Sequence, residues 1–164
     1  MSVRSLETLE AWKKAKEFAL RIYQEVVPLL PPEEKWNLNQ QLRRSSLSIP
    51  ANIAEGYGRF YYQDNIQFCY IARGSLEESL SHLVIAHEMN FIPKPLFESI
   101  VQEGEKLTQL INGYIGYLKR SKQGKMNQVQ TVPFMRILLH TKLTLLNILE
   151  TNNDSQIPNP DPRA

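Results

Sequence analysis

Arg43 and Arg44 stand near the head of a stretch, Leu42 to Arg59, that also holds Asn52 and Glu55. Guanidinium groups do one of two things here. Exposed, they contact phosphate and release the counterions condensed on a nucleic acid; buried, they must find a carboxylate or carbonyls. Neighbours on a helix point about 100° apart, so Arg43 and Arg44 cannot face the same way. Arg44, Glu55 and Arg73 fall near stripes expected to face inward, which makes them candidates for a structural polar network. For Arg43 and Arg59 the residue types leave both readings open, phosphate contact or ion pair. Asn52 and Glu55 are three apart and share a helix face just past Pro50, placed to satisfy backbone groups that the proline frees. The densest basic run is Lys119, Arg120, Lys122 and Lys125; from Lys119 to Lys142 there are six Lys or Arg residues and no acid. Such a run is either a solvated linker or a nucleic-acid-binding arm.

Signals for catalysis or metal binding are missing. His82 and His87 are five apart, about 140° around a helix, not the spacing of four that presents two imidazoles to one metal. Cys69, the single cysteine, allows no intramolecular disulfide and no Cys-based zinc site, and its place on an apolar stripe reads as core. Gly56-x-Gly58 is a fragment of a phosphate-loop pattern without the strand that should precede it; it reads as a helix stop, with glycine at the left-handed position. Trp12, Tyr23, Trp36, Tyr57 and Tyr61 read as core or interface residues rather than base-stacking platforms. No enzyme, cofactor or metal is expected.

The elements that must position these residues are helical. Glycines number seven in 164 residues, and Leu, Glu, Lys, Gln and Ala dominate long stretches. A first helix, capped by Ser5 or Thr8 and running to about Val27, carries the stripe Leu9, Trp12, Ala15, Ala19, Ile22, Val26. A second opens at Pro32-Glu33-Glu34, presents Leu38, Leu42, Ser46, Ile49 and Ile53, and should kink near Leu47 because of Pro50. The third, from about Asp64 to Asn90, has a seven-residue pattern through Ile66, Cys69, Arg73, Leu76, Leu80, Leu83 and His87, with a second face of small residues, Ala72, Ser75, Ser79 and Ala86, that admits a close neighbour. The fourth starts at Pro93 and Pro95 with Leu96, Ile100, Leu107, Ile111, Tyr114 and Leu118 inward. Short connections between long helices predict an all-α, antiparallel up-down-up-down four-helix bundle over residues 1–120. A basic linker, 121–132, a further helix over 133–151 and a disordered tail, 152–164, form a C-terminal extension. An apolar content of 42% suffices for a core. No segment approaches the roughly 20 apolar residues that cross a bilayer, and no signal-peptide pattern opens the chain, so a cytoplasmic protein without a membrane partner is expected.

The run Leu42-Arg43-Arg44-Ser45-Ser46-Leu47-Ser48-Ile49-Pro50-Ala51-Asn52-Ile53-Ala54-Glu55-Gly56-Tyr57-Gly58-Arg59 resembles the signature of the bacterial four-helix bundle protein family. That family includes proteins encoded within intervening sequences of large-subunit ribosomal RNA genes and the accessory variability determinant of diversity-generating retroelements. Leu9-Glu10-Ala11-Trp12-Lys13-Lys14-Ala15 is similar to the family's opening, and Ile71-Ala72-Arg73-Gly74-Ser75-Leu76-Glu77-Glu78 to its third helix. The resemblance spans Leu6 to Leu118. It implies an antiparallel bundle assembled as a homopentamer, a basic surface for RNA or DNA, and a reverse transcriptase as protein partner. Together with the basic clusters it points to a nucleic-acid-binding adaptor with Arg43, Arg59, Lys119, Arg120, Lys122 and Lys125 as contacts. The alternative is a purely structural or protein-binding scaffold.

Overall fold

A computed structural model describes residues 6–123 of the chain. The helix read over 133–151, the tail and Lys125 lie outside the described residues. Four long helices, α1 (Glu10–Arg21), α2 (Leu38–Gly58), α3 (Tyr62–Glu88) and α4 (Lys94–Gln123), make up most of the described chain, which contains no strand.

The inward stripes anticipated from spacing are largely the core. Ala15, Ala19, Ile22 and Val26 of the first stripe are buried, as are Leu38, Leu42, Ser46, Ile49 and Ile53 of the second. Leu76 and Leu83 are closed off on α3, and Ile100, Leu107, Ile111 and Leu118 on α4. Each fully buried Leu, Ile or Phe contributes about 1.5–3 kcal/mol relative to exposure. Phe18, Ala11 and Ile115 join this core from outside the stripes read from sequence.

Helix ends depart more from expectation. The first α-helix stops at Arg21 and loosens into a π turn, Ile22–Val26, then a 3-10 turn, Val27–Leu29. Pro28 sits within that last turn and can donate no backbone bond, so the regular ladder cannot pass through it. At its start α1 has Leu9 as the capping residue, with no side-chain bond; Thr8 does not take that place. Pro32–Trp36 forms a separate 3-10 turn rather than the opening of α2. Asn37 breaks the geometry, with φ −111° and ψ −107°, and the Glu34 carboxylate accepts the Leu38 backbone N–H at 3.1 Å. The acid thus serves the helix start from one turn upstream. α3 begins at Tyr62 and ends where Asn90 takes φ 60°. There the Phe91 N–H donates to the Ala86 carbonyl and the Asn90 N–H to that of His87, both 2.9 Å, a pairing of last-turn carbonyls typical of left-handed helix ends. α4 runs through Lys119 and Arg120 to Gln123, so helix replaces the first residues of the expected linker.

Gly56 is also used differently. No glycine among the described residues has a positive φ, and α2 continues past it to Gly58. A Cβ on Gly56 would lie 2.8 Å from Phe68 Cβ and 3.0 Å from the Asn65 backbone oxygen. This glycine is there for the approach of α3. The same contact line is held by hydroxyls. Ser79 Oγ lies 2.8 Å from Ser45 Oγ, and Ser75 Oγ 2.9 Å from Ser48 Oγ, while the Ser45 hydroxyl also reaches the Gln41 carbonyl at 2.9 Å. Residue numbers therefore rise along α2 as they fall along α3. The small face read on α3 is what α2 packs on.

Candidate nucleic-acid interface

The arginines predicted to lie inward are at the surface or near it. Arg44 is exposed, with its side chain 72% accessible, and reaches only Glu78 at 3.4 Å. Glu55 is exposed and pairs with Arg59, one turn further along α2. Arg73 is half-buried and donates to Asn112 Oδ1 at 2.8 Å, without a carboxylate. These three form no common network, because their positions fall beside the inward stripes and long side chains reach water from there. Asn52 does take a structural role. Its amide donates to the Ser48 carbonyl at 2.7 Å and to Ser48 Oγ at 2.8 Å, which attaches it to the serine line between α2 and α3. The carbonyl it meets is that of Ser48, whereas the one that Pro50 leaves without its i+4 donor is that of Ser46, and Glu55 takes no part. The polar interior is a set of short hydroxyls spaced three or four apart, Ser45, Ser48, Ser75 and Ser79, a spacing visible in the sequence.

The candidate nucleic-acid contacts separate into two places. Arg43 is exposed on the first half of α2, where its guanidinium lies 4.7 Å from the Tyr23 ring centre and bonds Asn39 at 2.8 Å. Arg59 caps the other end of that helix, about 24 Å away along the axis, over the Phe68 ring at 4.8 Å. The structure does not bring these two together. Arg59 does share its end of the molecule with the α3–α4 contact. Asn65 donates to the Tyr114 hydroxyl at 3.1 Å, and the Tyr70 ring holds two cations, Arg73 at 5.1 Å and Lys119 at 5.5 Å. Arg120 is exposed one residue on. Lys122 lies in the last turn of α4. Burial raises the Tyr114 hydroxyl's pKa, so it stays protonated as donor or acceptor. Among the described residues no carboxylate pairs with Arg43, Arg73, Lys119 or Arg120, whereas Arg44 and Arg59 each have one and Arg21 has two.

Several aromatic residues sit elsewhere than the core. Trp36 is 73% exposed, with the Lys35 ammonium 5.0 Å from its ring centre, and Tyr61 is 54% exposed. Phe60, Tyr62 and Tyr117, which the residue-type reading passed over, are exposed too. Three consecutive aromatics between a helix stop and a helix start were the signal available for them.

The remaining reactive groups are placed for packing. Cys69 is buried and burial pushes its thiol up to about 11, which leaves it protonated and unreactive. The His87 ring stacks on Phe97, centroids 4.4 Å apart, with Nδ1 3.1 Å from the Ile92 carbonyl oxygen. His82 faces Glu78 at 3.8 Å on the same helix. Among the described residues no three His, Cys, Asp or Glu side chains converge on a metal position, and no helix is long and apolar enough to cross a membrane.

The sequence model of the 23S rRNA-intervening sequence protein family matches residues 7–113. The chain belongs to that family. Among solved structures, the 23S rRNA-intervening sequence family protein described here is similar to a Bacteroides thetaiotaomicron protein of unknown function from the S23 ribosomal protein family. The two share 28% identity with a TM-score of 0.59, over 64% of this chain and 97% of that one. No curated protein matches it. The matched span contains α1, α2, α3 and most of α4, and ends before Lys119 and Arg120.

Proposed function

We propose that this chain is a non-catalytic, oligomeric adaptor, an antiparallel up-down-up-down bundle that grips nucleic acid through the end of the α3–α4 face. The observation that carries this reading is the pair of cations on Tyr70. Arg73 and Lys119 converge on one ring, Arg120 follows, and no carboxylate neutralises any of them among the described residues. Unpaired cations held in one region are what phosphate oxygens bind, at near-full electrostatic value because no internal pair must first be broken. Arg43 adds a second, separate cation for a partner long enough to reach along α2. In this reading the assembly is a cytoplasmic homopentamer and its protein partner a reverse transcriptase of a retroelement, as the resemblance implies.

Anisotropy titrations of the full chain with a structured RNA and with duplex DNA test this. Binding is expected at about 50 mM salt and should weaken steeply by about 200 mM. The Lys119→Ala/Arg120→Ala protein should bind several-fold more weakly with a shallower salt slope. No binding to either nucleic acid at the lower salt would end this reading. One observation favours a second: Leu47, Ile71, Val84 and Ile85 are each 41–51% exposed on α2 and α3, which suits a protein-docking scaffold. A scaffold would keep its partner when Lys119 and Arg120 are neutralised.

A further inference from the structure

We propose that the turn between α2 and α3, with the last turns of α4, is a stacking platform for unpaired nucleobases. The inference rests on the nucleic-acid reading above and names its substrate class: a strand that is single where it meets the protein.

Phe60, Tyr61 and Tyr62 follow one another at this turn and are 90%, 54% and 39% exposed. Covering a large ring is favourable, so Phe60 left almost wholly in water beside the part-covered Tyr61 and Tyr62 makes a surface awaiting a flat, apolar partner. The chain cannot fold them back. α2 ends at Gly58 and α3 begins at Tyr62, which leaves too few residues for the turn to tuck its rings under either helix. The Phe60 and Tyr61 rings stand edge to face, centroids 5.1 Å apart at 88°, so each keeps a face open. Their base is anchored: Arg59 is held by Glu55 and lies over Phe68.

The same end gathers α4. Tyr62 lies one turn before Asn65, which bonds Tyr114, and Tyr117 lies one turn beyond Tyr114. Since numbers fall along α3 as they rise along α4, from Leu80 against Gly104 to Asn65 with Tyr114, Tyr62 and Tyr117 are at one end of the helix pair. Tyr117 is 59% exposed and nearly parallel to Tyr114, at 13°. Lys119 and Arg120 complete the region. Of the acids close by, Glu55 is occupied by Arg59, and Asp64 sits in the first turn of α3. The positive charge is thus in excess.

Cations alone would take duplex and single strand alike. Rings change the preference, because a duplex hides the faces of its bases while a single strand offers them, whatever its sequence. Aromatic rings beside Lys and Arg are the composition of single-strand sites, and of these residues it is Lys119 that a protein–protein interface disfavours.

Anisotropy of the full chain with a labelled oligothymidylate and with a duplex of equal length separates the possibilities. Phe60→Ala/Tyr61→Ala should lose about tenfold in affinity for the single strand and keep that for the duplex within about twofold; both side chains lie in water, so the fold does not depend on them. Ultraviolet crosslinking of a 5-bromouracil-substituted strand, mapped by mass spectrometry, should mark Phe60, Tyr61 or Tyr62. Unchanged single-strand affinity in the variant, or crosslinks confined to other peptides, would overturn the platform while the nucleic-acid reading stands. If wild type binds neither form at low salt, both are overturned. A variant with altered oligomeric state and unaltered single-strand affinity identifies the turn as a protein contact and overturns the platform.

Discussion

Between α2 and α3 the backbones come so close that a Cβ at Gly56 would stand 2.8 Å from Phe68 Cβ, whereas α1 and α4 leave a surface groove of about 940 Å³ lined by Lys14, Leu20, Arg21, Gln102, Glu103 and Lys106. Small residues make the first contact. Ser75 and Ser79 face Ser48 and Ser45, Gly56 lies against Phe68 and Asn65, and each of these hydroxyls finds another hydroxyl or a carbonyl. Long residues make the second. Arg21 spans the groove with Glu25 at 2.8 Å and Glu103 at 2.7 Å, hydrogen bonds that raise the guanidinium's pKa, that to Glu25 most, then that to Glu103. Close packing leaves no tolerance for added volume, while a half-exposed ion-pair bridge can lose a partner to water at little cost. The uncovered rings and cations lie in neither seam, but at the end where α2 stops, α3 starts and α4 runs out.

The largest effect is expected from the core that both seams share. Phe18 on α1 is 0% exposed, and Phe18→Ala should cost about 3–5 kcal/mol in urea unfolding; a loss below about 1 kcal/mol would mean that α1 is held by its rim after all. Next comes a matched pair of glycines. Gly56→Ala should destabilise by about 1–3 kcal/mol despite alanine's better helix propensity, since Phe68 Cβ and the Asn65 backbone cannot give way. Gly104→Ala meets only the end of the Leu80 side chain, at 2.7 Å, and should stay within about 1 kcal/mol of wild type, with the propensity gain of about 1 kcal/mol offsetting the shift. Equal losses at the two sites would erase the distinction between a backbone-limited and a side-chain-limited contact.

The smallest effect belongs to the bridge. Arg21→Met should cost about 0.5–1 kcal/mol, less at high salt. Its pH dependence has a sign: the Arg21 hydrogen bond holds the Glu25 carboxyl below its ordinary value, so the pair's contribution is present above the unfolded carboxylate range and fades as pH falls through the lowered value. Melting curves of wild type and Arg21→Met should therefore converge at acid pH. Curves that diverge there would assign the bridge another role.

Much of the bundle was legible in the residues, because burial follows period. The stripes through Leu42, Ile49 and Ile53, and through Ile100, Leu107 and Ile111, needed only spacing to be assigned inward. Arg44 and Glu55 were harder. A position beside a stripe specifies a Cβ direction and leaves open where a long, flexible side chain ends, and both finish in water. Gly56 misled for a related reason: a glycine near a helix end suits a left-handed residue or a close neighbour equally well, and only the location of Phe68 chooses. The basic residues Lys119 and Arg120 were legible as charge, but their companion Tyr70 was not, since nothing in sequence pairs residues so far apart.

By itself the sequence determined four amphipathic helices, the proline-marked breaks on either side of the α2–α3 pair and the lack of any intramolecular disulfide, since propensity, period and ring geometry are local properties that act wherever the chain goes. Tertiary structure alone decided which cations keep a carboxylate and which have none among the described residues. It also decided which rings are sealed and which stay in water, because those outcomes depend on what a neighbouring helix places within a few ångströms.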